Sequence, residues 1–134
     1  MTRDLSLTLL LGCILGGVPT VSDASPGLDG AYTYGASCEE TFVHRGSTAS
    51  FKKPVDPFAP SFIIAGNRLR TPLASCRIGS RKSVASRRVL KLSCATAIAE
   101  TDVTALLEST SDGKLKRYSS DRDTIGTIYN RCTP

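Results

Sequence analysis

Tryptophan is absent from this 134-residue sequence, histidine and methionine each occur once, and aromatic residues make up only 6% of the chain. A chain this poor in large rings has little to build a core from, and small cores need staples. The single histidine, His44, excludes any site that requires two imidazoles. Absent patterns narrow the field further. There is no C-x-x-C, H-E-x-x-H, G-x-S-x-G, Walker loop, G-x-G-x-x-G or calcium loop. The common zinc, esterase, nucleotide and calcium signatures are thereby removed, and the sequence predicts neither a metal nor a cofactor. Acidic residues are missing altogether between Asp56 and Glu100, whereas Arg68, Arg70, Arg77, Arg81, Lys82, Arg87, Arg88 and Lys91 all fall inside that interval.

The N-terminus carries an export pattern. Arg3 precedes an apolar run over 5–18, and Ser22 and Ala24 place small residues where a signal peptidase reads. A signal peptide over 1–24 is predicted, removed to leave 25–134 as one domain. The run is short for a membrane span, so no transmembrane segment is expected in the mature chain. Leu10-Leu11-Gly12-Cys13 resembles a lipobox, which makes lipidation at Cys13 the second reading. Loss of Arg3, Asp4 and Asp23 moves the formal charge from +5 to +6.

Cleavage also removes Cys13 and leaves Cys38, Cys76, Cys94 and Cys132. Four cysteines in an exported chain of this length read as two disulfides and point to a secreted or periplasmic location. Their wide intervals do not suit a zinc site. The stretch from 76 to 94 is the most legible in the chain. Pairing residues whose numbers sum to 170 places Cys76, Ile78 and Ser80 opposite Cys94, Leu92 and Leu90 on one face. The other face then carries Arg77, Gly79 and Arg81 opposite Ser93, Lys91 and Val89. Side chains alternate along a strand, so this register makes a hairpin with a dry side and a basic side. It favours a Cys76–Cys94 bridge, and closure of the chain ends favours Cys38–Cys132 over the pairing Cys38–Cys76 with Cys94–Cys132.

Elsewhere short apolar segments alternate with turn signals. Strand candidates lie at 31–34, 39–44, 50–53, 61–65, 68–71, 103–107, 114–118 and 124–129, with Gly66-Asn67 and Asp112-Gly113 as hairpin turns. Pro54, Pro57 and Pro60 mark an exposed crossing. Residues 95–99 are ambiguous, with a helix as the minority reading. The predicted fold is all-β: a small antiparallel barrel (up-and-down) or sandwich of about seven to eight short strands, stapled by two disulfides.

Three functional readings follow. In the 170 register Lys82 faces Arg88, and like charges directly opposite destabilise a ladder. The hairpin is therefore expected to open near Lys82, leaving a tip of about five residues. Arg81, Lys82, Arg87 and Arg88 then form a candidate anion-binding site on a non-catalytic binding module. Its partner would be an anionic polymer, an envelope component or an acidic protein. Nucleic acid is disfavoured because no aromatic residues interleave with these cations. The alternative is a small secreted ribonuclease-like hydrolase using Glu39 or Glu40, His44 and one of Arg68, Arg70 or Arg77. A structural cell-envelope protein is the third reading. Residues 109–118 faintly resemble the serine–glycine–tyrosine loop of periplasmic lysozyme inhibitors, which are small β-barrels. The glycine-to-tyrosine spacing differs, and a basic chain does not complement a cationic lysozyme, so no family is assigned.

Overall fold

The computed structural model describes residues 16–17 and 27–134. Apart from Gly16 and Gly17, the expected signal peptide over 1–24, the lipobox cysteine Cys13 and the expected new N-terminus at Ser25 lie outside the described residues. Eight strands close into an antiparallel barrel. They are β1 (Gly30–Thr33), β4 (Ser61–Ala65), β5 (Arg68–Arg70), β6 (Ser75–Val84), β7 (Arg87–Ala95), β8 (Glu100–Ser109), β9 (Leu115–Tyr118) and β10 (Thr127–Cys132). Neighbours in sequence pair in turn from β4 to β10, and β1 closes the circuit by pairing with both β4 and β10. Between β1 and β4 the chain leaves the wall. Helix α1 (Cys38–Thr41) and the hairpin of β2 (Phe42–Arg45) and β3 (Thr48–Phe51) form a flap on the outside.

Alternation sorts the side chains. Tyr32, Phe62, Ile64, Leu69, Ile78, Leu90, Leu92, Leu107, Leu115 and Tyr129 point inward as one core. Phe62 packs against both Tyr32 and Tyr129, at ring-centroid distances of 5.1 and 5.0 Å. The opposite parity of β1, β4 and β10 supplies Ala31, Ile63 and Cys132, which meet Phe42 of the flap in a second cluster outside the wall. Both favoured disulfides are present. Cys76–Cys94 lies inside the β6–β7 pair with Cα atoms 4.0 Å apart, and Cys38–Cys132 ties the flap to the last strand at 5.5 Å. Two disulfides fit an oxidising compartment.

Three local expectations are corrected. The register that sums to 170 holds only from Ser75↔Ala95 to Ile78↔Leu92. A bulge at Gly79 then shifts it by one, giving Ser80↔Lys91, Arg81↔Leu90, Lys82↔Val89, Ser83↔Arg88 and Val84↔Arg87. Leu90 remains inside, but Ser80 is exposed on the outer face and Arg81 has moved to the inner one. Lys82 therefore never faces Arg88. The ladder runs on to a two-residue turn at Ala85-Ser86, where Ala85 takes a left-handed φ of 55°, so no five-residue tip opens.

The segment expected as a strand over 39–44 begins as a helical turn instead. The Ser37 hydroxyl accepts from the Glu40 N–H and caps it, and Glu39 and Glu40 favour its positive end. The last strand begins at Thr127, not 124, because Asp123 turns the chain first. Residues 96–99 form a tight connection, not a helix, with Thr96 N–H donating to the Ala99 carbonyl at 2.9 Å.

The core position most enclosed by the bulged hairpin is Leu90, with no solvent exposure. Leu90→Ala is expected to destabilise the disulfide-intact protein by about 2–5 kcal/mol in urea unfolding. Ile128→Ala, on the half-exposed outer face of β10, is expected to change it by within about 0.5 kcal/mol. Equal effects at the two sites would contradict the assignment of faces.

Candidate functional site

The structure separates the four cations expected to act together. Arg81 and Arg88 lie on the inner parity of the hairpin, Lys82 and Arg87 on the outer. The Arg81 guanidinium donates to the Gly66 carbonyl at the neighbouring turn. Arg87 lies over the Tyr118 ring, 3.5 Å from its centroid, and donates to the Asp123 carbonyl at 2.6 Å. Arg88 is half-buried, opposite Ser83 on one side and Leu107 on the other. Lys82 is the one of the four on an open surface without a hydrogen bond or ion pair among the described residues.

Arg87 belongs to a latch that joins the hairpin to the loop before β10. Tyr118 and Ser86 both donate to one Glu108 carboxylate oxygen, at 3.1 and 3.0 Å. These hydrogen bonds, Ser86 first, hold the Glu108 carboxyl below its ordinary pKa. Within the loop, Asp123 accepts backbone N–H groups from Ser119, Ile125 and Gly126 at 2.9, 3.0 and 3.0 Å. Three N–H donors stabilise the carboxylate and push its pKa well below the carboxylate range.

The acid-free stretch becomes one continuous outer wall on β5, β6 and β7. Arg68 and Arg77 are direct register partners, Ser93 follows Arg77 across the ladder, and Asp102 follows Ser93. Lys91, two residues along β7 from Ser93, donates to the Thr104 hydroxyl at 3.0 Å. Among the described residues Arg68 and Arg77 make neither a hydrogen bond nor an ion pair. A shallow groove of about 540 Å³ runs over this row, with Arg68 and Arg77 toward one side and Glu100 and Asp102 toward the other. Arg70, also on the outer parity, reaches the flap and donates to the Ala49 carbonyl at 3.2 Å.

The residue types of the hydrolase reading are distributed differently. Glu39 and Glu40 are exposed on α1, and His44 is half-buried on β2 with Ala49 as its register partner. The small cavity beside Glu40 is lined by Thr41, Phe51, Lys52 and Asp56, and neither His44 nor an arginine contributes to it. Among the described residues no cluster of three or more His, Cys, Asp or Glu side chains could hold a metal ion. No helix among them is long and apolar enough to cross a membrane.

One functional candidate went unread in the sequence. Arg117 shares the inward parity of Leu115 and is the register partner of Leu107, but it is exposed, so it sits at the mouth of the barrel beside the interior and not within it. The signal was the two-residue interval from Leu115, visible once Leu115 is known to be inside. In comparisons with known proteins, no protein-family model, no curated protein and no solved structure matches this chain.

The latch generates a pH dependence. The folded Asp123 carboxyl is more acidic than its unfolded counterpart, so its stabilisation is complete above the unfolded pKa of about 3.9 and fades as pH falls toward the folded value. Asp123→Ala is expected to melt below wild type at neutral pH, with the gap narrowing in acid below about pH 4. Thermal melts at the two pH values check this; a gap of constant size would rule it out.

Proposed function

We propose that the protein is an exported, non-catalytic binding module that engages an anionic polymer of the cell envelope or extracellular space through the outer face of β5–β7. The observation that supports this reading is the Arg68↔Arg77 pair. Two guanidinium groups directly opposite one another on an exposed sheet repel, and folding gains nothing from the arrangement. An anion placed over the pair converts repulsion into forked, charge-assisted hydrogen bonds. Lys91 extends the array along the wall and Lys82 continues it toward the turn. Strands about 4.8 Å apart and residues spaced about 3.3 Å along them put neighbouring cations at roughly 5–7 Å intervals, which suits repeated phosphates or carboxylates. Glu100 and Asp102 bound the array on the β8 side and set its orientation. The two disulfides and the N-terminal export pattern support secretion or periplasmic residence.

The test compares two variants with equal loss of charge, using immobilised heparin as the anionic polymer. Arg68→Ser/Arg77→Ser is expected to elute at markedly lower salt, with affinity reduced about tenfold and a shallower salt dependence. Lys53→Ser/Arg122→Ser, exposed elsewhere, is expected to change affinity less than about twofold. Removing the repulsion should leave the thermal midpoint of the first variant at or above wild type. If both variants lose retention equally, net charge alone explains binding and the site is wrong.

A further inference from the structure

The two ends of the barrel are built differently. At one end the turns are short and polar, at Gly66-Asn67, Ala85-Ser86 and residues 110–114. That end is also plugged. Leu28 is buried across it, and its carbonyl accepts from the Tyr32 hydroxyl at 2.8 Å. Arg131 adds hydrogen bonds to the Gly27 and Asp29 carbonyls and to the Tyr32 hydroxyl. Large side chains fill the interior beneath the plug, namely Tyr32, Ile64, Leu90 and Leu115.

At the other end the inward positions are mostly small. Ala74, Ala105, Thr71 and Thr101 and the compact Cys76–Cys94 bridge leave a cavity of about 250 Å³, floored by Leu69, Leu92, Leu107 and Phe62. An eight-stranded barrel is just wide enough either to be filled by side chains or to hold one small ligand. Here one half is filled and the other is not. A dry cavity of ~150 Å³ accommodates benzene, so this one admits a longer apolar group.

Arg117 is the one cation lining that cavity, and it also lines the adjoining recess of about 240 Å³ beneath Pro57, Pro60 and Leu73. Among the described residues it has no ion-pair or hydrogen-bond partner. An exposed guanidinium at the mouth of an apolar cavity, without an acid beside it, is complementary to one kind of molecule: an apolar chain ending in an anion. The surface around the opening points the same way. The loops at this end carry Phe58, Leu73, Ile98 and Ile125, with 87%, 60%, 95% and 82% of their surface exposed. These apolar tips border the route by which such a chain enters and leaves.

We propose that the open end of the barrel binds a single-chain amphiphile with a carboxylate head, its chain in the cavity floored by Leu69, Leu92 and Leu107 and its carboxylate on Arg117. This site is separate from the outer basic wall, since Arg68 and Arg77 point away from the interior.

Calorimetric titration of the disulfide-intact 25–134 protein tests it with three probes of equal chain length: dodecanoate, dodecanol and dodecyltrimethylammonium. Dodecanoate is expected to bind saturably at one site, dodecanol more weakly, and the cationic probe weakest. Arg117→Gln, at an exposed position, should weaken dodecanoate at least about tenfold while leaving dodecanol unchanged. Ala105→Phe should abolish binding of both by filling the cavity. Arg68→Ser/Arg77→Ser should bind dodecanoate as wild type does, which separates this site from the polymer-binding wall. The proposal is overturned by absence of saturable dodecanoate binding, by an Arg117→Gln variant that binds dodecanoate like wild type, or by a folded Ala105→Phe variant that still binds it. Should Ala105→Phe fail to fold, the Arg117→Gln comparison decides alone.

Discussion

The rest of the structure depends on the four residues of β1, which hydrogen-bond to β4 on one side and β10 on the other. Without them the sheet is open and exposes two unpaired edges, each a template for association with another chain. Closure joins residues 31–33 to residues 130–132, nearly the full length of the folded domain, and such long-range contacts are entropically expensive to form. The Cys38–Cys132 bridge lies on that seam, since Cys132 is the register partner of Ala31. One covalent bond thus holds the closing strand's partner and the flap together. A cross-link spanning 94 residues also restricts the unfolded chain strongly, worth typically ~2–4 kcal/mol. With no tryptophan and a core of mostly aliphatic side chains, this contribution is a large share of the stability a domain of this size has.

Much of this architecture is legible in the sequence because it rests on parity. The alternation around Cys76 and Cys94, the Gly66-Asn67 and Asp112-Gly113 turns and the proline crossing each act locally, and local signals locate β1, β4, β5, β6, β7 and β9 closely. What parity cannot reveal is its own interruption. Gly79 can occupy a bulge or a regular strand position, and the residues on either side are consistent with both. Across it Arg81 changes face, and every inference about the tip changes with it. The helical turn at Cys38–Thr41 was hidden for a different reason: four residues are too few to show a helical period, and only the Ser37 cap marks them.

The arginines divide by use. Arg70, Arg81, Arg87 and Arg131 each donate to a main-chain carbonyl, at Ala49, Gly66, Asp123 and the 27–29 lead-in respectively. Each ties a strand to a loop or to the flap that would otherwise be held by the chain alone. The forked, always-charged guanidinium suits such bridging, since it reaches a carbonyl at the surface and covers apolar area with its stem. These four cations stabilise the fold and have little freedom to recognise anything else.

Among the other arginines, Arg68, Arg77 and Arg117 are the ones the strand pairing sets against each other or at the mouth of the cavity. In sequence they are unremarkable, lying 9 and 40 residues apart, whereas Arg81, Lys82, Arg87 and Arg88 form an obvious cluster. Clustering along a hairpin turn, however, distributes charges over both faces and brings them close to loop carbonyls. Pairing between strands does the opposite, setting Arg68 directly against Arg77 with no structural reward. Likewise the parity of Leu115 carries Arg117 to the mouth of the cavity, where the wall behind it is lined with alanine and threonine. Charges that folding does not use, and that it places at some energetic disadvantage, are the ones best explained by a bound partner. By that criterion the proposed recognition surfaces are the outer wall and the open end, whereas Arg81 and Arg87 beside the hairpin turn are already used by loop carbonyls.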